Sequence, residues 1–338
     1  MASDGDGLVE VRIFDDLDAV AADAAGALDR GRQASLFDRL DWYRLTLAHA
    51  PLRGRPLILR ARDGAAAAWL FLMREGARAE GMVSWYSLRF DAPRIGAADA
   101  CLPALARALA DQGIGHVALW PLADTHLAHV FAAAGWRTRL SAASVNRHVA
   151  VTDWPTYWAA RPGALRETVR RRGRGDPFRL VILDRFDAAA WRDYEAVYAR
   201  SWKRAEGAPA FLHVLAEQEG AAGTLRLGLG YDGARPVAAQ LWLVEGGTAT
   251  IHKLAHDEAD RARSPGTLLS HAMFRHVIEA DGVRLIDFGT GDDAYKADWM
   301  DEVRPLHRLD AWNPRNLNGL AGLARDVAGK LVRTLRNR

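Results

Sequence analysis

The sequence predicts an α/β protein of two domains, and three observations carry that expectation. Strand-like and helix-like periodicities alternate along both halves of the chain. The order helix, Asp/Gln-Gly turn, strand occurs once in each half, at Leu102–Trp120 and Leu268–Phe288, the mark of a degenerate internal duplication. A chain of 338 residues, 49% of them hydrophobic, also has the material for two ordinary cores.

In the first half, Leu8–Phe14 alternates like a strand and is followed by helical stretches at Asp16–Arg30 and Phe37–Ala48, then strands at Pro56–Ala61 and Ala67–Arg74. After a loop around Pro93, Ala98–Asp111 places Leu102, Leu105 and Leu109 on one helical face, and the strand His116–Trp120 follows. The helix Thr125–Ala134 stops at Gly135, whose missing Cβ permits the left-handed conformation that ends many helices. The second half begins near Val149, with a strand at Phe178–Leu183 and helices at Ala188–Lys203 and Pro209–Glu219. Three strands then meander through Thr224–Tyr231, Pro236–Glu245 and Thr248–His256, with turns at Asp232-Gly233 and Gly246-Gly247. A helix at Pro265–Ala280, a strand at Val283–Phe288, a Gly/Asp loop and a strand at Leu306–Trp312 complete it. The expected domains are 1–148 and 149–315, followed by a basic amphipathic helix at 316–338.

Several function classes lose support at this level. The acidic start, Met1 to Gly7, leads into an alternating segment and not an apolar leader, so export is not expected. The longest apolar run, Ala65–Met73, falls short of the roughly 18 residues that span a bilayer. A single cysteine, Cys101 in an Ala/Leu segment, excludes an intramolecular disulfide and fits a cytoplasmic setting. With 45 Lys and Arg against 42 Asp and Glu, the net charge of +3 does not argue for nucleic acid. Arg161, Arg166, Arg170, Arg171, Arg172 and Arg174 crowd one segment, and Arg325, Lys330, Arg333, Arg336 and Arg338 load the tail. Each cluster is either an anion-binding surface or a solvated helix face. Gly228–Gly233 satisfies G-x-G-x-x-G between two strands, whereas a dinucleotide site needs strand, turn and helix. Asp287-Phe288-Gly289 mimics a kinase triplet without its companion motifs. The common zinc and hydrolase motifs are missing, and no metal is expected.

Chemistry concentrates in Thr248–Met300, where a strand, a basic loop, a helix start and a second strand follow in order. Ser264 is a good N-cap, Pro265 suits the first helical position, and Gly266 lets another group approach the backbone. Free amides at that helix start, with Arg261 and Arg263 beside them, suit a pyrophosphate; the plainer reading is a capped helix with two solvated arginines.

Arg261-x-x-Ser264-x-Gly266 resembles the Arg/Gln-x-x-Gly-x-Gly/Ala loop with which GNAT acyltransferases hold the coenzyme A pyrophosphate, Ser264 standing for the first glycine. With the Ser264-Pro265-Gly266 helix start, Asp287-Phe288-Gly289 and Gly291–Lys296, the stretch is more specifically similar to the cellulose-biosynthesis CelD-like acetyltransferases, relatives of the Fem-type peptidyl transferases. Ser201-Trp202-Lys203, Pro236–Gln240 and Tyr157–Gly163 extend the likeness over most of Val149–Pro314. The resemblance implies tandem GNAT-like α/β (α+β) domains, each a mixed, mostly antiparallel sheet flanked by helices, with the cofactor site in the second. It implies N-acyl transfer from acetyl-CoA or another acyl-CoA to an amine of a small molecule or glycan precursor. Leu254, Arg261, Arg263, Ser264, Pro265, Gly266 and Thr267 are the expected donor contacts. Tyr295 is the candidate acid for the departing thiolate, Lys296 a candidate for the oxyanion, and Asp287 and His256 candidate bases. Each has a structural alternative: a loop-capping carboxylate for Asp287, a core histidine for His256, an ion-pair partner for Lys296. Trp202 and Lys203 are candidates for the acceptor cleft. An aminoacyl-tRNA donor, with Arg166–Arg174 on its phosphates, and a non-catalytic scaffold in envelope polysaccharide assembly are the rival readings. The tail helix either packs on its own domain or lies on an anionic membrane surface as a peripheral contact.

Overall fold

The computed structural model describes residues 9–336, with side chains through residue 328. By packing, the chain divides into one unit built from its residues up to 144 and from 305 onward, and a second unit of residues 145–304. Residues 305–315, expected in the second domain, therefore belong to the first unit. Met1–Leu8 and the last two residues lie outside the described part.

The first unit comprises β1 (Glu10–Phe14), α1 (Leu17–Ala24), α2 (Leu40–His49), β2 (Arg55–Asp63), β3 (Ala66–Glu75), β4 (Arg78–Gly81), β5 (Arg94–Ile95), α3 (Cys101–Asp111), β6 (His116–Leu122) and α4 (His126–Ala133). β7 (Arg137–Ala150) then carries the chain into the second unit. That unit holds α5 (Trp154–Ala159), α6 (Gly163–Arg172), β8 (Arg179–Leu183), α7 (Ala188–Ala199), α8 (Pro209–Ala221), β9 (Leu225–Asp232), β10 (Arg235–Glu245), β11 (Thr248–His256), α9 (Pro265–Glu279) and β12 (Leu285–Thr290). β13 (Glu302–Trp312) returns to the first unit, and α10 (Leu317–Arg336) follows.

The two sheets share one plan. In the first, β1 to β4 form an antiparallel meander, β6 joins β4 in parallel after α3, and β13 closes antiparallel to β6. In the second, β8 to β11 form the meander, β12 joins β11 in parallel after α9, and β7 closes antiparallel to β12. The first sheet thus takes its closing strand from the far end of the chain, and the second takes its own from the start of its unit. Both are mixed, mostly antiparallel and flanked by helices. The helix, turn and strand repeat read in the sequence is the α3–β6 and α9–β12 crossover.

Apolar alternation explains where the cores sit. In the first unit, Leu57, Leu59, Leu70 and Leu72 of β2 and β3 pack on Leu102, Leu105 and Leu109, the helical face expected of α3. In the second, Trp242, Ile251 and Ile286 pack on Leu269, Met273, Phe274 and Val277 of α9. Several elements depart from the sequence expectation, β4 and α5 among them, since no element was expected at either place. α7 stops at Ala199, leaving Trp202 and Lys203 in the loop that follows. α1 ends at Ala24, where Ala25 turns left-handed. β7 spans Arg137–Ala150 with mostly half-exposed residues, so it shows no apolar alternation to read.

Candidate active site

Strand β11 and its departure from β12 create the site. The two pair only from Thr248 to Thr250 against Leu285 to Asp287. A bulge at His252 interrupts the ladder between β10 and β11, since Leu241 faces Lys253 while Trp242 faces Ile251. Leu254 and His256, two residues apart, reach the same side of the strand and line a cleft of about 560 Å³. Arg261, Ser264, Gly266, Thr267, Trp202 and Tyr295 complete the part of its wall that sequence reasoning had picked out.

The helix start differs from a capped one. Ser264 occupies the N-cap position in the left-handed region (φ 60°, ψ 42°) and its hydroxyl makes no capping hydrogen bond. The expected Ser264 cap is therefore corrected: the chain makes a turn that glycine adopts freely, and the first amides of α9 are left without a side-chain acceptor. Pro265 begins α9 with no N–H to lose. Behind it, the fully buried Gln240 donates from Nε2 to Ser270 Oγ (2.8 Å) and to the Gly266 carbonyl (3.3 Å), and its Oε1 accepts from Trp242 Nε1 at 2.8 Å. Gln240 fixes the height of the helix start above the sheet. A Cβ on Gly266 would lie 3.1 Å from His256 Nδ1, so only glycine lets helix and histidine approach this closely.

The arginines separate in function. Arg261 lines the cleft, 76% exposed, with a 3.3 Å contact to Glu258. Arg263 does not: it pairs with Asp232 and Asp260 and lies over the Phe178 ring. Arg161, counted in the basic cluster, is buried, donates from Nη2 to both Asp301 oxygens at 2.6 and 2.7 Å and covers the Tyr157 ring. Tyr157 in turn donates to the Trp299 carbonyl at 3.0 Å, so this network holds the cleft-lining Trp299 in place. Its signal was the Tyr157–Gly163 motif, which gave no role from sequence alone.

The four candidate catalytic residues also divide. His256 Nε2 is buried with no hydrogen-bond partner, and its ring packs on Trp202 with centroids 4.4 Å apart. Burial holds its pKa below the usual imidazole value, keeping it neutral. Tyr295, on the cleft wall and edge-on to Phe288, has its phenol pushed up by burial and by Asp293, and so stays protonated. Lys296 faces away: its Nζ donates to the carbonyls of Thr290 (2.7 Å), Gly291 (3.2 Å) and Phe288 (3.4 Å), stapling the loop after β12. Asp287 accepts from Asn146 Nδ2 (2.6 Å) and the Gly289 amide (2.7 Å) and meets Arg304 at 3.3 Å, the loop-capping role. Neither Lys296 nor Asp287 lines the cleft.

Lys253, next to Leu254, points to the other side of β11 and pairs with Glu206 at 2.9 Å. Lys203, expected in the acceptor cleft, sits near this pair and is not among the residues that line the cleft. Burial and then the Lys253 charge push its ammonium down to about 8. Among the described residues no group of His, Cys, Asp and Glu side chains is arranged to hold a metal.

Residues 161–297 match the family model of an acetyltransferase (GNAT) domain. The match covers β8 to β12 and with them the whole junction just described. Among solved structures, the chain is similar to FemX (TM-score 0.59, 11% identity, covering 88% of this chain and 96% of that one). It is similar also to a tandem GNAT protein from the clavulanic acid biosynthesis pathway (0.50, 14%, covering 90% and 99%) and to L-PGS from Bacillus licheniformis (0.50, 12%, covering 81% and 89%). At these identities the likeness establishes the fold, that of tandem GNAT proteins. No curated protein matches the sequence.

Proposed function

We infer that the protein is an N-acyltransferase of the CelD-like kind that takes an acyl group from an acyl-CoA, acetyl-CoA being the simplest, to the amine of a small molecule or glycan precursor. One observation carries this reading: the uncapped start of α9 opens into the same cleft as the unpartnered His256 Nε2 and the protonated Tyr295. The residues fit a pyrophosphate-bearing donor, because the Gly266 and Thr267 amides, the helix dipole and Arg261 form an anion cradle.

Bound there, the thioester would supply an activated acyl carbon. His256 accepts the proton that the amine sheds on attack, being neutral at physiological pH. Tyr295 donates its proton to the sulfur as the thiolate leaves. Trp299, buried on the cleft wall, keeps water from that side of the acyl group and so slows its hydrolysis. The rival tRNA-linked donor would rest on Arg166, Arg171, Arg172 and Arg174, since Arg170 pairs with Glu167.

Thiol release from acetyl-CoA against a panel of amines tests the reading. Tyr295→Phe and His256→Gln should each lower kcat by about 10²-fold or more. Unchanged kcat in both would remove these residues from the chemistry.

A further inference from the structure

The last helix docks with the wrong side for an ordinary amphipathic helix. The side of α10 that meets its own unit is mostly small and polar, with Leu323 the one large apolar residue half-buried there. A Cβ on Gly319 would lie 2.1 Å from the Asn313 carbonyl oxygen, and one on Gly322 would lie 2.8 Å from the Trp312 ring. Asn316 Nδ2 donates to the Gly113 carbonyl at 3.1 Å, and Asp326 pairs with Arg139, whose guanidinium also lies over Trp312. Two glycines and two polar side chains thus hold the backbone against β6 and β13.

The apolar stripe is left in solvent. Leu317 is 84% exposed, Leu320 46% and Val327 55%, with Ala321 and Ala324 exposed between them and Ala328 exposed just beyond. These positions follow helical spacing and lie on one side of the cylinder, opposite the glycine contacts. The sequence continues the spacing with Leu331, whose side chain lies outside the described residues. The charge of this stretch of sequence has one sign: Arg315, Arg325, Lys330, Arg333, Arg336 and Arg338 stand against Asp326 alone, and Asp326 is already paired with Arg139.

We propose that α10 is a peripheral membrane anchor, which lays the Leu317, Leu320 and Val327 stripe into the interface of an anionic bilayer while its basic residues meet the headgroups. An exposed apolar stripe flanked by cations is what such an interface rewards. A partner helix would also cover the apolar residues, but it gives no reason for the surplus of positive charge. No helix among the described residues is long and apolar enough to cross a membrane, so the contact is one of surface binding. The inference is independent of the acyl-transfer reading.

Co-sedimentation of the full-length protein with vesicles of phosphatidylcholine and phosphatidylglycerol (3:1) tests it, beside vesicles of phosphatidylcholine alone. The protein should pellet with the anionic vesicles at least tenfold more strongly than with the neutral ones, and 0.5 M salt should weaken that binding. Leu320→Glu/Val327→Glu should abolish it while leaving the circular dichroism spectrum and melting temperature unchanged, because both residues face solvent. Arg325→Glu/Lys330→Glu keeps the apolar stripe and should lose the preference for anionic vesicles. Failure of the wild type to pellet would overturn the proposal, as would equal pelleting of the Leu320/Val327 variant. A wild-type dimer that the same variant splits, without vesicle binding, would assign the stripe to a second copy instead.

Discussion

At the residue scale, the site is decided by which polar atoms are already satisfied. Lys296 and Asp287 looked as suitable as His256 and Tyr295 in the sequence, since nothing in residue type says which way a side chain turns. Three carbonyls hold Lys296, while an amide and two side chains hold Asp287; His256 Nε2 has nothing. The rate of transfer should therefore fall on acidification only below the ordinary imidazole pKa of about 6.5, as His256 gains its proton, and the acid limb should vanish in His256→Gln. The same depression links to stability: the neutral-histidine contribution is present above the unfolded value and is lost as pH falls through the folded one. Lys203 titrates the other way. Its charge is present below about 8 and lost above, because burial and the neighbouring Lys253 charge favour the neutral amine. Ser264 makes a third case. The left-handed turn costs a non-glycine residue about 1–2 kcal/mol, and glycine's greater chain entropy returns part of that loss, so Ser264→Gly should gain about 0.5–1 kcal/mol in thermal unfolding without loss of donor binding.

At the element scale, what the sequence shows best is the crossover that bears the site. The α9 helix, the strands either side of it and the two turns of the meander all carry strong periodicity or glycine punctuation. β7 was not legible, because its fourteen residues are mostly half-exposed and neither alternate nor cluster by polarity. The tail helix was legible as amphipathic, but which side docks depends on Gly319 and Gly322 meeting backbone and ring, a tertiary fact. Gly319→Ala should therefore detach the first turn of α10, since its methyl has no room beside the Asn313 carbonyl. Hydrogen exchange should show amide protection lost in α10 while the strands of the first unit keep theirs.

At the scale of the whole molecule, the repeat in the sequence foretold two similar sheets but not the origin of their closing strands. β13 completes the first sheet from the far end of the chain, and Leu309 and Ala311 belong to that unit's core. Cutting the chain after Arg304 should therefore leave the first unit without a closing strand and partly unfolded. Residues 145–304 contain every strand of the second sheet, including the part of β7 that pairs with β12, and should fold and bind donor alone. A fragment that folds but binds no donor would show that the first unit completes the site.

The central claim is that the start of α9 cradles an acyl-CoA pyrophosphate, and calorimetric titration of the full-length protein with acetyl-CoA and longer acyl-CoAs tests it most directly. Arg261→Glu and Gly266→Asp place negative charge at the cradle, the second also crowding His256. Binding at micromolar Kd in the wild type, weakened at least tenfold in both variants, is the predicted result; no binding of any acyl-CoA, or equal binding in the variants, would contradict it.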